Sequence, residues 1–265
     1  MVMAALLLAA ASGSAIVADP GAPVTVERQY QADEADQGVA SDGTHFYAID
    51  NNRIGKYRIA DGEKVAEWQG DPEKFPHINS CTVVAAELVC AASNYPAVPQ
   101  SSSVEVFSLE PLAHVRSIAL DKTPGSLTVM DRHDGHWWAV FANYDERGSP
   151  QGQDHHDTYL VRYSDTFQED GRWSFPAAVL DRFAPSSCSG ASWSDRNVLL
   201  VSGHDKPEIY KMALPEQGTE LVHVATLPVS THGQAIDLDP SRSDSLWSID
   251  RKTRTVVVNK IDSND

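Results

Sequence analysis

The groups able to do chemistry in this chain are mostly imidazoles and carboxylates, and they are scattered. Ten histidines occur in 265 residues. Two are adjacent, His155-His156, and stand between Asp154 and Asp157. Imidazole nitrogens with carboxylate oxygens form the donor set of zinc and similar divalent ions. No HExxH pair fixes a metal geometry locally, and the three cysteines form no CxxC knuckle. Acid–base catalysis needs a histidine and a carboxylate, or two carboxylates, facing one ligand. His204 and Asp205 are adjacent, and Asp250 adjoins Arg251, whose guanidinium can hold a carboxylate through two parallel hydrogen bonds. Ser189-Gly190 is not a G-x-S-x-G nucleophile elbow, and no glycine-rich phosphate loop occurs. Any site must therefore be gathered from distant residues by the fold.

The elements that could gather them repeat. Short alternating runs recur five times in the same order: a strand ending in a tight turn, a strand ending in polar residues, a strand rich in Val, Ile and Tyr, and a fourth leading onward. Phe46-Tyr47-Ala48-Ile49-Asp50 matches Leu246-Trp247-Ser248-Ile249-Asp250, and Leu112-Ala113-His114-Val115 resembles Leu221-Val222-His223-Val224. Asp42-Gly43 and Asp134-Gly135 mark hairpins in which both central positions accept positive φ. The turn centres recur at the blade length of a propeller, roughly 40–50 residues. The one long interval holds a polar insert, Glu146 to Asp157, without strand signal. No helix of useful length is expected. The last unit has only three strands, whereas Val24–Gln31 is a lone strand before the first, so that strand can complete the last sheet and close the ring. The reading is an all-β, five-bladed β-propeller over residues 19–265. A β-sandwich is the alternative.

The repeat resembles β-propellers of the broad group that includes lactonase-like and quinoprotein-like rings, over residues 24 to 262. Some propellers of this look carry a cycloisomerase label, although no catalytic residue matches one by one. The paired Gly-His/Trp-Asp signature of WD40 blades and the double glycine of kelch blades are both missing.

In such a ring, first-strand starts and second-strand ends share one face at the mouth of the central channel. Convergent polar groups at a concave mouth are the default site. The expected ligand-binding residues are Gln37, Asp50, Asn79, Asn94, Tyr95, Asn143, Tyr144 and Gln234, and the expected catalytic residues are His77, His204, Asp205, Asp250 and Arg251. His77, His155, His156, His204 and His232 are the imidazoles that could hold a divalent metal there, or simply donate hydrogen bonds in a wet channel. Asp50 and Asp250 occupy matching positions and could equally cap the following turns.

Acidic residues outnumber basic ones 37 to 21, a formal charge of −16. That field opposes nucleic acids and anionic membranes and favours a neutral or cationic small molecule or a divalent ion. The N-terminus, an apolar run from Ala4 to Ala11 followed by small residues, reads as a signal peptide over residues 1–18, without the usual preceding Lys or Arg. No stretch is long enough to span a bilayer. Secretion or a periplasmic location follows as an expectation. Cys81 and Cys90 flank Ala85-Ala86 symmetrically and form either a cross-strand disulfide or two buried thiols. Two functions remain open: an exported hydrolase, lyase, lactonase or isomerase acting on a small polar substrate, and a non-catalytic module binding a ligand or protein through the same face.

Overall fold

The computed structural model describes residues 24–121 and 123–261; the proposed signal peptide lies outside them. The chain opens with β1 (Thr25–Gln31). Blade one is β2 (Gly38–Ser41), β3 (His45–Asp50), β4 (Arg53–Arg58) and β5 (Lys64–Gln69). Blade two is β6 (His77–Val84), β7 (Glu87–Ser93), β8 (Ser102–Leu109) and β9 (Leu112–Leu120). Blade three is β10 (Ser126–His133), β11 (His136–Ala142), β12 (Tyr159–Tyr163) and β13 (Glu169–Ser174). After a short helix α1 (Ala177–Phe183), blade four is β14 (Gly190–Trp193), β15 (Leu199–Ser202), β16 (Glu208–Ala213) and β17 (Val222–Pro228). Blade five has β18 (Asp237–Leu238), β19 (Ser245–Asp250) and β20 (Thr255–Lys260). Its fourth strand is β1, in the order β1-β20-β19-β18. The protein is a five-bladed β-propeller closed by its N-terminal strand.

Burial explains the repeat. Inner strands lie between neighbouring sheets and are apolar on both faces: β2 and β14 are wholly buried, whereas the outer β5 and β17 are exposed or only half-buried at all but one position. The core accordingly divides into five clusters, one at each junction of adjacent blades. Trp138, Val140 and Leu160 pack with Trp193, Val201 and Tyr210 between blades three and four. Phe46 and Tyr57 pack with Trp247 and Val256 where the ring closes. The consecutive Trp137 and Trp138 face opposite neighbours, as strand alternation demands: Trp137 packs against the cluster shared with blade two, Trp138 into the one shared with blade four.

Two local features, α1 and the Asp42-Gly43 turn, depart from the sequence reading, and a third settles an alternative it left open. α1 was not anticipated; its buried Val179, Leu180 and Phe183 fill the wedge between blades three and four, and seven residues give too little periodicity to read. At Asp134-Gly135 both residues have positive φ, 46° and 73°. At Asp42-Gly43 only Gly43 does, at 83°, and Asp42 instead accepts hydrogen bonds from the amides of Thr44 and His45, an Asx turn. The disulfide alternative is the one found. Ala85 and Ala86 form a two-residue turn with φ of 48° and 66°, Cys81 lies opposite Cys90, and the two are bonded.

Candidate functional site at the channel mouth

A cavity of about 280 Å³ opens on the face where first-strand starts meet second-strand ends. Every blade supplies part of its wall: Gln37 from blade one; His77, Asn79 and Tyr95 from blade two; Thr128 and Tyr144 from blade three; Ser189 and His204 from blade four; and Gln234 and Arg251 from blade five. Of the thirteen residues expected to bind or catalyse, His77, His204, Arg251, Gln37, Asn79, Tyr95, Tyr144 and Gln234 line this cavity. Backbone demands help to shape it. Gln234 holds a left-handed φ of 69°, and a Cβ on Gly233 would come within 2.2 Å of the His204 carbonyl oxygen, so only glycine lets the blade-four and blade-five loops meet beside the pocket.

The electrostatic centre is Arg251. Its Nε donates to Asp36 Oδ1 at 3.1 Å, and Arg254 pairs with the same oxygen at 2.9 Å. A second Arg251 nitrogen, Nη1, donates to His204 Nε2 at 3.5 Å. His204 Nδ1 donates to Asp205 Oδ1 at 2.7 Å, which fixes the tautomer with Nε2 as the lone-pair nitrogen. Across the cavity, His77 Nδ1 donates to Asn51 Oδ1 at 2.5 Å. Burial, reinforced by the Arg251 charge, depresses the His77 pKa to about 4, so its ring is neutral at physiological pH. Asp205 lies outside the lining and acts on the pocket only through His204.

The polar insert forms a strap over this mouth. Gln100 of blade two donates to Asn143 Oδ1 at 3.0 Å and to the Gly148 carbonyl at 2.7 Å. At the other side the Asp145 amide donates to the Pro185 carbonyl, and His156 Nε2 donates to Asp181 of α1. Glu146 and Arg147 of the strap, with Pro185 and Ser186 beyond α1, complete the lining. These residues were missed as individuals, as was Asp36. The sequence places the insert's Asp154, His155, His156 and Asp157 at the mouth but not Glu146 or Arg147; Gly148, at φ 86°, lies so close to Tyr95 that a Cβ would meet that ring at 2.5 Å.

Several expected site residues serve the architecture. Asp50 accepts from the Asn51 amide and pairs with Arg53 at 3.2 Å, and Asp250 accepts from the Lys252 and Thr253 amides. Both therefore cap turns. Asn94 spans its own loop to Pro99 and Ser101. Asn143 is fully buried and donates to the carbonyls of Pro124 and Asp157. The five histidines do not converge on one ion. His232 is exposed and bonds the Asp205 carbonyl, and among the described residues only Asp154, His155 and His156 bring three ligand atoms within 4.8 Å of one another. That cluster lies on the strap, where Asp154 also caps the turn His155–Asp157.

At the opposite end of the channel a second concavity contains Asp131, Asp237 and Asp239. These carboxyls clasp neighbouring blades. Asp131 accepts from the Trp193 amide, Asp237 from the Ser41 amide and the Thr82 hydroxyl, and Asp239 from the Ser41 hydroxyl and the Trp247 indole. Burial raises the Asp131 pKa to about 6 and the Asp237 pKa well above the usual carboxylate range, the latter reinforced by Asp131.

No protein-family model matches the chain, and no curated protein does either. Solved structures do align with it in fold. One chain in the crystal structure of the mitotic checkpoint complex aligns with a TM-score of 0.51 at 10% identity, covering 98% of this chain and 99% of that one. Kuenenia stuttgartiensis hydrazine synthase aligns at 0.48 and 12% identity, covering 86% and 71%. Virginiamycin B lyase from Staphylococcus aureus aligns at 0.46 and 12% identity, covering 84% and 67%. Likeness at these identities concerns the ring, not its chemistry.

Proposed function

We propose that the protein is an exported enzyme that acts on a small polar molecule at the channel mouth by acid–base chemistry of the lyase, isomerase or hydrolase type. The observation that carries this reading is the His204–Asp205 pair opening onto the cavity beside Arg251. A carboxylate on Nδ1 orients the imidazole and makes Nε2 its basic nitrogen, which accepts a proton from a bound molecule that displaces the long 3.5 Å contact from Arg251. Arg251, itself held by Asp36, steadies negative charge as it develops. Neutral His77, with Nδ1 committed to Asn51, offers its other nitrogen as an acceptor. The Cys81–Cys90 bond supports export, since such bonds persist in oxidising compartments.

The test is product formation. Purified protein is incubated with panels of lactones, hydroxy acids and unsaturated acids and followed by proton NMR. Turnover should fall at least a hundredfold in His204→Ala, with the melting temperature within about 2 °C of wild type. Asp205→Asn should also lose activity, because nothing then holds His204 in the Nδ1–H tautomer. Saturable binding without product would establish the non-catalytic alternative, in which the same cavity serves recognition alone.

A further inference from the structure

The net charge of −16 argues for a neutral or cationic ligand, yet the cavity is lined by two guanidiniums, Arg147 and the Asp36-paired Arg251, and by one exposed carboxylate, Glu146. Surface charges more than about 8 Å away are largely screened at physiological ionic strength, so groups at the mouth outweigh the distant acidic surface. Arg147 has no ion-pair partner among the described residues. Its Nε donates to the Tyr95 hydroxyl at 3.3 Å, and its guanidinium lies 5.7 Å from that ring's centroid. Arg251 belongs to the opposite side of the ring in chain order, on blade five, and its charge is felt at His77. The same cavity is lined by three rings tilted against one another: His77 and Tyr95 are 5.3 Å apart at 38°, and Tyr95 and Tyr144 4.8 Å apart at 54°. The half-buried Tyr144 hydroxyl has no hydrogen-bond partner among the described residues, and burial raises its pKa, so it is a neutral donor.

From this arrangement we infer that the cavity takes a small aromatic or conjugated carboxylate, whose body packs beside the Tyr144 ring and whose carboxylate is held by Arg147 and Arg251. The inference rests on the channel mouth being the ligand site, as proposed above, but not on catalysis. Guanidinium and carboxylate match through parallel N–H···O bonds, and an aromatic ring packs favourably on an aromatic neighbour in offset or edge-to-face geometry. The strap sets the position of Arg147, because Gly148 packs on Tyr95 and Gln100 ties the strap to blade two. The cavity thus selects for shape as well as charge.

Calorimetric titration of the full-length protein with benzoate, benzamide and benzylamine tests it. Benzoate should bind at least tenfold more tightly than the isosteric amide, with benzylamine weakest. Arg147→Gln should weaken benzoate at least tenfold while leaving benzamide within twofold. Arg196→Gln, which removes the same charge from a loop at the far end of the channel, should leave benzoate unchanged. No benzoate binding, equal binding of acid and amide, preference for the amine, or equal loss in Arg147→Gln and Arg196→Gln would each overturn the inference. Acid-selective binding with no product from any panel compound would uphold it while refuting the enzymatic reading.

Discussion

Single side chains at the two ends of the channel should give the molecule opposite responses to pH. His77 is neutral in the fold because burial and Arg251 hold its pKa near 4, against 6.5 for a free imidazole. Its contribution to stability is therefore complete above the unfolded value and is lost as pH falls from about 6.5 through about 4, by up to roughly 3 kcal/mol. His77→Gln keeps a donor toward Asn51 and cannot titrate, so its melting temperature should fall less than wild type's between pH 7 and pH 4. Equal slopes would mean that the ring is not desolvated. Asp237 has the reverse sign. Burial and the neighbouring Asp131 raise its pKa, so its contribution to stability is full below the unfolded carboxylate pKa and is lost as pH rises toward the folded value. Asp237→Asn can accept from the Ser41 amide and donate to Thr82, the two partners of the carboxyl. It should match wild type near pH 4 and exceed it in melting temperature at pH 8. A variant less stable than wild type at pH 8 would show that the ionised carboxylate is itself required.

Among the elements, the β6–β7 hairpin is the one whose sequence and geometry disagree. A two-residue turn with positive φ at both centres favours Asn-Gly, yet alanines stand there, each at a cost of roughly 1–2 kcal/mol. Replacing Ala85-Ala86 with Asn-Gly should raise the urea unfolding free energy by about 1–2 kcal/mol with an unchanged m-value. The disulfide four residues back closes a short loop and adds about 2–3 kcal/mol on the chain-entropy account. A Cys81→Ser/Cys90→Ser double variant should lose about that much in a urea titration. Strands were legible because blade packing buries both faces of the inner ones, so apolar runs such as Trp138 to Ala142 mark them. α1 was not, since two turns with three apolar contacts look the same as loop. The site was half legible. Topology placed His77, His204 and Arg251 together, but no spacing reveals that Asp50 and Asp250 are spent on turn amides or that Asn143 holds the strap from within.

For the whole molecule the decisive contact joins the chain's two ends. β1 pairs antiparallel with β20 from Thr25↔Lys260 to Gln31↔Thr255. Tyr30 lies 4.8 Å from Phe46 and 6.1 Å from Trp247, so it bridges blades one and five, and its hydroxyl donates to the Ile59 carbonyl. Burying an aromatic ring is worth about 2 kcal/mol, and each ladder hydrogen bond roughly 0.5–1.5. Together these approach the net stability of an ordinary domain, about 5–15 kcal/mol. Deleting residues 1–31 should therefore give a chain that aggregates through the bare edge of β20. What matters is that the strand is present, not where the chain starts. Because Thr25 lies opposite Lys260, the start of β1 can be joined to the end of β20 as a hairpin by a short Gly-rich linker, with new termini between Gln217 and Gly218, an exposed turn. That circular permutant keeps every strand pair and all the lining residues of the mouth. It should fold with a melting temperature within about 5 °C of wild type, while the truncated chain fails to give a cooperative transition. A soluble, cooperatively melting truncation would show that the five inter-blade clusters hold the ring without its clasp. A permutant that does not fold would show that chain order, beyond strand pairing, is needed to assemble it.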